Sequence, residues 1–180
     1  MHEDDLMAAT GCGKYKALVF AEPLTLAMDR FGINTPERQA AFLAQVAHES
    51  GKLTWVCELA SGAAYEGRAD LGNIVAGDGV RYKGRGLLQT TGRANYRELQ
   101  AKLVKYGYTG VPDFEAFPTL LELPLWASAS AGLYWATRGL NQFADSGDFT
   151  TLTKRINGGL NGLDDRKACW ARAKGVLCST

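Results

Sequence analysis

The chain has 180 residues, 46% of them hydrophobic and 22% charged, with a net charge of +1. These proportions exclude a disordered chain or a low-complexity fibre, and the balanced charge excludes a global field for nucleic acid. The length suits a single domain over residues 1–180, with a core that needs no metal or disulfide staple. Met1-His2-Glu3-Asp4-Asp5 is acidic where a secretory leader would be basic, so synthesis in the cytoplasm is expected. The apolar run 17–20 is too short to span a bilayer, so no stable membrane anchor is expected. A first helix is expected over residues 24–30, ending at Phe31-Gly32. Thr35-Pro36-Glu37 then forms a strong helix start, with Thr35 as N-cap and Pro36 at the first helical position. That helix carries Ala40, Phe42, Leu43, Val46 and Ala47 and stops at Ser50-Gly51. Residues 58–92 are rich in glycine and read as loops, with a short hairpin or strand around 86–89. Further helices are expected over 93–106, 123–137, 149–156 and 165–177. The fold class is therefore mainly α, an α+β layout whose loop-rich, slightly β centre flanks a substrate cleft.

The chemistry is concentrated in carboxylates. Glu49 ends the most apolar helix, where apolar neighbours and the helix C-terminus both oppose ionisation. A carboxyl kept protonated near neutral pH can serve as a general acid. Glu58 lies nine residues on. In a continuous helix it would be rotated by about 180° and displaced by about 13.5 Å. The stop at Ser50-Gly51 removes that obstacle, and residues 52–56 can lead back in extended form to set the two acids across a cleft. Paired carboxylates of this kind serve glycoside hydrolysis. Glu66, Asp70 and Asp78 are competing acids, with Glu66 and Arg68 read as a structural pair. No metal and no cofactor is expected. His48 is followed by no second histidine at metal spacing, since position 52 is Lys52. The four cysteines, Cys12, Cys57, Cys169 and Cys178, show no metal or nucleophile signature and read as reduced thiols.

Three segments form a long pattern: Ala44-Gln45-Val46-Ala47-His48-Glu49-Ser50, then Tyr65-Glu66-Gly67-Arg68-Ala69-Asp70-Leu71-Gly72-Asn73, then Tyr82-Lys83-Gly84-Arg85-Gly86-Leu87-Leu88-Gln89-Thr90-Thr91-Gly92-Arg93-Ala94-Asn95-Tyr96. Ile156-Asn157-Gly158-Gly159 follows. The pattern resembles the family 19 glycoside hydrolases, a chitinase-like group with a lysozyme-like fold that includes bacteriophage endolysins. The resemblance implies Glu49 as general acid, Glu58 as general base and Thr91 as the hydroxyl that helps hold the attacking water. It implies Gln89, Asn95, Asn157 and Tyr82 as residues along the sugar cleft. Arg166 and Arg85 are placed there too, or else as organisers of the carboxylates. The implied mechanism is inverting, with the two acids about 6.5–9.5 Å apart. Trp55, Tyr65 and Tyr82 offer aromatic faces to sugar rings.

The shortness of the chain, and Ala94 where several relatives carry an aromatic residue, fit the compact endolysins of phages of Gram-negative hosts better than the larger chitinases. The leading expectation is an endolysin of muramidase type. It would cut the β-1,4-linked glycan strands of peptidoglycan as a monomer, with no nucleic-acid partner. It would pass from the cytoplasm to the periplasm and wall through a separate holin-type pore. The alternatives are a chitinase acting on N-acetylglucosamine polymers and a wall-binding or effector domain that does not cleave.

Overall fold

The computed structural model describes residues 1–178. Thr35 caps α3 (Pro36–Glu49) as the sequence requires, its side chain accepting from the Arg38 amide at 3.3 Å. Every residue from Ala40 to Ala47 in α3 is buried, so this helix is the axis of the core. Around it pack α1 (Glu3–Thr10), α7 (Asn141–Asp145) and, most extensively, α9 (Leu163–Leu177). A second layer pairs α2 (Lys14–Arg30) with α6 (Pro124–Thr137), and α5 (Arg93–Lys105) and α8 (Phe149–Asn157) complete the shell. One continuous apolar cluster runs through all of them, with Trp135, Tyr96, Phe42 and Phe114 its largest fully buried side chains.

The helices expected from residue 36 onward stand where the periodicity puts them, within two residues at each end. The centre carries less strand than expected: among the described residues it holds only isolated bridges, Cys57 with Arg85 and Arg85 with Thr90. Residues 58–92 are instead ordered by short helical turns and side-chain hydrogen bonds. Glu66 does not pair with Arg68. Its two oxygens accept from the Gly77 and Gly79 amides at 2.6 and 2.8 Å, at the start of α4 (Asp78–Arg81), while Arg68 pairs with Asp70. Buried Asn73 donates to the Tyr65 carbonyl at 2.9 Å and accepts from the Arg93 amide at 2.8 Å, tying this loop to the start of α5.

The chain between the two carboxylates is not extended. Gly51, Lys52 and Leu53 all take left-handed backbone angles, with φ of 55°, 58° and 65°. The buried Ser50 hydroxyl holds the turn by accepting from the Leu53 amide at 2.9 Å. Leu53 is fully buried inside it. This left-handed turn reverses the chain after Glu49, the task that an extended return was expected to perform.

Candidate active site

Glu49 stands at the C-terminal end of α3, about a quarter exposed at 24%. Its Oε1 accepts from Arg166 Nη2 at 2.5 Å. Arg166, from α9, is buried, and its whole guanidinium is engaged: Nη1 donates to Gln45 Oε1, and Nε donates to the Asn161 carbonyl at 3.1 Å. Gln45 in turn donates to Thr153 of α8 at 2.9 Å. A buried guanidinium is tolerable only when paired and hydrogen-bonded throughout, and this chain of contacts meets that demand. It corrects the reading of Arg166 as a cleft residue: it is packed away from solvent and organises Glu49, the alternative that the sequence left open.

Glu58 is fixed from the opposite side. Its Oε1 accepts from the Tyr65 hydroxyl at 3.1 Å, and its Oε2 accepts from the Gly84 amide at 3.1 Å. Its own amide donates to the Gly84 carbonyl at 2.9 Å, and Lys83 Nζ donates to its carbonyl at 2.9 Å. Burial and the Glu58 carboxylate together raise the Tyr65 hydroxyl above its ordinary range, so it stays a donor. Tyr65 therefore positions the acid directly, beyond the aromatic face that the sequence suggested.

Gly84 is the floor on which the polar groups meet. A Cβ built there would lie 2.6 Å from Gln89 Oε1, 3.3 Å from Glu58 Oε2 and 3.3 Å from Thr91 Oγ1. Glu58, Gln89 and Thr91 thus converge on one small volume that only glycine leaves open. The loop presenting them is closed by paired backbone bonds between Arg85 and Thr90, at 2.8 and 3.0 Å. Its turn uses Gly86 at φ 81°, packed so close to Ser130 of α6 that a Cβ would lie 2.6 Å from the hydroxyl. Gln89 also takes a left-handed φ of 53°, and its amide donates to the Gly86 carbonyl at 2.9 Å. Thr91 Oγ1 donates to the Gln89 carbonyl at 3.0 Å, which leaves its lone pairs to accept from a water. Arg85 is buried behind this loop, donating to Glu122, the Arg81 carbonyl and the Tyr96 hydroxyl.

A pocket of about 240 Å³ opens beside this cluster, lined among others by Gln89, Thr91, Asn95, Tyr134 and Arg138. Asn95 is exposed, with its amide donating to the Thr91 carbonyl at 2.6 Å. Tyr134 links the pocket to Glu49: burial raises its hydroxyl, Arg138 opposes that rise, and the charge of Glu49 adds to it. Asn157 serves the loop behind Arg166. It donates to the Asn161 carbonyl at 2.9 Å and accepts from the Gly159 amide at 2.8 Å.

Tyr82 does not line the pocket beside Thr91. It is buried, its hydroxyl donates to the Glu115 carbonyl at 3.0 Å, and Arg81 and Arg93 lie over its ring. The physical reason is the tight folding of residues 58–92 onto α5, which turns this ring inward against Tyr96. Trp55 is the aromatic residue left half-exposed, with its ring edge over Gly51 beside the Glu49 turn. His48 is paired with Asp165 at 2.6 Å. Asp78 is buried against the Val75 amide and Arg93. Sequence reasoning missed Gln45 as a positioning residue. Its signal was a lone amide inside an otherwise apolar buried stretch.

No family model matches the chain. A Haemophilus influenzae protein, described as a glycosyl hydrolase family 19 domain-containing protein, is 29% identical over 176 residues. That match covers 81% of this chain and 82% of the relative. Chitinase C from Streptomyces griseus HUT6037 superposes with a TM-score of 0.74 at 22% identity, over 99% of this chain and 76% of that one. A bacterial family 19 chitinase superposes with a TM-score of 0.71 at 24% identity, over 97% of this chain and 93% of that one. The fold is that of these chitinases, and the resemblance read from the motifs is carried by a relative over most of the chain. The chain is thus similar in fold to these chitinases and, over most of its length, in sequence to a glycosyl hydrolase family 19 domain-containing protein.

Proposed function

We propose that the protein is an endolysin that hydrolyses the β-1,4-glycosidic bonds of bacterial peptidoglycan by single displacement with inversion. The observation that carries the reading is the convergence of Glu58 Oε2, Thr91 Oγ1 and Gln89 Oε1 on Gly84. A water there would donate one hydrogen to Thr91 Oγ1, or to the neighbouring Gln89 amide oxygen, and the other to Glu58, which takes that proton as the water oxygen attacks the anomeric carbon. Glu49 protonates the leaving glycosidic oxygen. Its Oε1 is held by Arg166, and its Oε2 has no partner among the described residues, so Oε2 is the oxygen that faces the substrate. As the leaving oxygen takes its proton, negative charge grows on Glu49, and the adjacent guanidinium stabilises it. Asn95 and Trp55, both exposed near these groups, contact the sugar rings. The choice of wall glycan over chitin is supported by the positive rim of the pocket, formed by Lys102 and Arg138.

The test is digestion of purified Gram-negative peptidoglycan, with new reducing ends identified by borohydride reduction and mass spectrometry and Glu49→Gln as control. N-acetylmuramic acid ends, absent from the control, are the expected result. N-acetylglucosamine ends would keep the mechanism and move the bond. No new ends, with soluble oligomers released from colloidal chitin instead, would make the protein a chitinase.

A further inference from the structure

The pocket beside Thr91 has a composition that neutral sugar does not require. Its lining includes Lys102 and Arg138 and no carboxylate at all. The charge of Lys102 is shared, since its ammonium lies 2.6 Å from Glu98 one helical turn away. Arg138 has no carboxylate partner among the described residues. It is held in place by other means: it caps the C-terminal end of α6, where the helix dipole favours a cation, and its guanidinium lies 3.5 Å from the centre of the Tyr134 ring. Both it and Thr137 before it are exposed. Tyr134 and Arg138 line the same pocket as Gln89 and Thr91, so the cation shares a cavity with the polar cluster on Gly84. A guanidinium fixed by stacking loses little further freedom on binding and presents its donors in a planar fork that matches a carboxylate.

We propose that Arg138 is a specificity-determining residue that holds a carboxylate of the peptide stem of peptidoglycan. Lys102 adds attraction at longer range. This rests on the peptidoglycan reading above, and it names what the pocket recognises there. Chitin carries no anionic substituent, so the contact separates wall glycan from chitin. The apolar part of the pocket, Leu71, Leu99 and Leu133, would lie against the aliphatic parts of the stem.

The experiment measures binding rather than turnover, using the Glu58→Gln protein to prevent cleavage. The probes are a disaccharide-tetrapeptide muropeptide, the same compound with its carboxyls amidated, and chitotriose, each titrated by calorimetry. Adding Arg138→Gln is expected to lower the ratio of muropeptide to chitotriose affinity about tenfold, the size of one charge-assisted contact. Arg138→Met, which keeps an apolar cover over Tyr134 without charge, should lower the ratio equally, and Arg138→Lys, which keeps the charge but not the planar fork, should restore only part of it. The amidated muropeptide should bind as weakly to the parent protein as the muropeptide does to the Arg138→Gln form. The ratio should also shrink as salt rises, because screening acts over about 8 Å at physiological ionic strength. A parent protein that binds no muropeptide, an unchanged ratio, or an Arg138→Met form that behaves as the parent would overturn the proposal. Cleavage of sacculi by the wild-type protein is scored separately. Failure of the peptidoglycan reading therefore appears as missing reducing ends, and failure of the Arg138 assignment as an unmoved binding ratio.

Discussion

Glu58 and Gly84 are bound to each other twice. The Glu58 amide donates to the Gly84 carbonyl at 2.9 Å, and the Gly84 amide donates back to the Glu58 carboxylate at 3.1 Å. The backbone that fixes the position of the acid thus also aims it. The missing side chain of Gly84 leaves the volume in which Gln89 and Thr91 meet it. Gly84→Ala should push the Gln89 amide aside, since a Cβ would lie 2.6 Å from its oxygen. Gln89 is a flexible side chain, so the stability cost should be small, about 1 kcal/mol, within the ordinary range for a point change. The activity cost should be far larger, about 100-fold in kcat, because a displacement on the order of 1 Å at the reacting atoms has that effect. Thermal melts and initial rates on the same preparation check this. Loss of rate in proportion to loss of fold would refute it.

Arg166 makes Glu49 a stability residue as well as the proposed general acid. Removing either partner leaves the other without its match, and the guanidinium is the buried member, its side chain only 3% exposed against 24% for the carboxylate. Arg166→Met should therefore destabilise the fold by about 3–5 kcal/mol, leaving Gln45 Oε1 without its donor as well. Glu49→Gln, which keeps an oxygen to accept from Arg166 but has no carboxyl proton to give, should cost less stability than Arg166→Met and nearly all the activity. Denaturant melts of the two single variants and the double variant should show a coupling of more than about 1 kcal/mol. Additive losses would mean that the pair contributes nothing as a pair.

The helical frame was legible because its signals are local. Thr35, Pro36 and the apolar run after them define α3 with no help from tertiary structure. The first half of α2 was not legible, since Pro23 stands inside the helix and Gly13 offers no capping side chain at its start. α1 begins with three acidic residues, which suit a first helical turn but read equally as a solvated end. Among the site residues, Glu49, Gln89 and Thr91 lie in the long motif and Glu58 came from its nine-residue interval after Glu49, and what neither could give was direction. Tyr82 belongs to the same run of residues yet points into the core, because burial depends on how the 58–92 loop folds onto α5. The contacts of Gln45, Arg166 and Thr153 span more than 100 residues of chain, and no periodicity reports such a relation.

The turn between the acids carries two residues that ordinarily avoid its backbone angles, Lys52 at φ 58° and Leu53 at φ 65°. They should respond oppositely to glycine. Lys52 is exposed, so Lys52→Gly relieves a left-handed conformation that costs about 1–2 kcal/mol and adds about 0.5–1 kcal/mol of chain entropy to the unfolded state. The net should be a gain of about 0.5 kcal/mol and a rise in Tm of about 1–2 °C. Leu53 is fully buried, and Leu53→Gly should lose at least the roughly 2–5 kcal/mol typical of emptying a core leucine site. If both variants fell together, the turn would be held by its side chains and not strained in its backbone.

Acid stability should show the contribution of a second charge cluster. Glu115 accepts from Arg97 at 2.7 and 2.9 Å and from Arg93 at 2.8 Å, and these hydrogen bonds hold its carboxyl down at about 2, against an ordinary 4.5. A value lowered on folding means that the contribution is complete above the unfolded value of 4.5 and is lost as pH falls through about 2. The shift alone would correspond to about 3 kcal/mol, but the side chain is 23% exposed, and solvent screening reduces the contribution to about 1–2 kcal/mol. Glu115→Gln should therefore be less stable than the wild type by that amount near neutral pH, and the gap should close as pH falls from 4.5 towards 2. Urea melts of both proteins across this range provide the check. A gap that stayed constant with pH would mean that Glu115 contributes through packing and neutral hydrogen bonds, and that the two arginines do not depend on its charge.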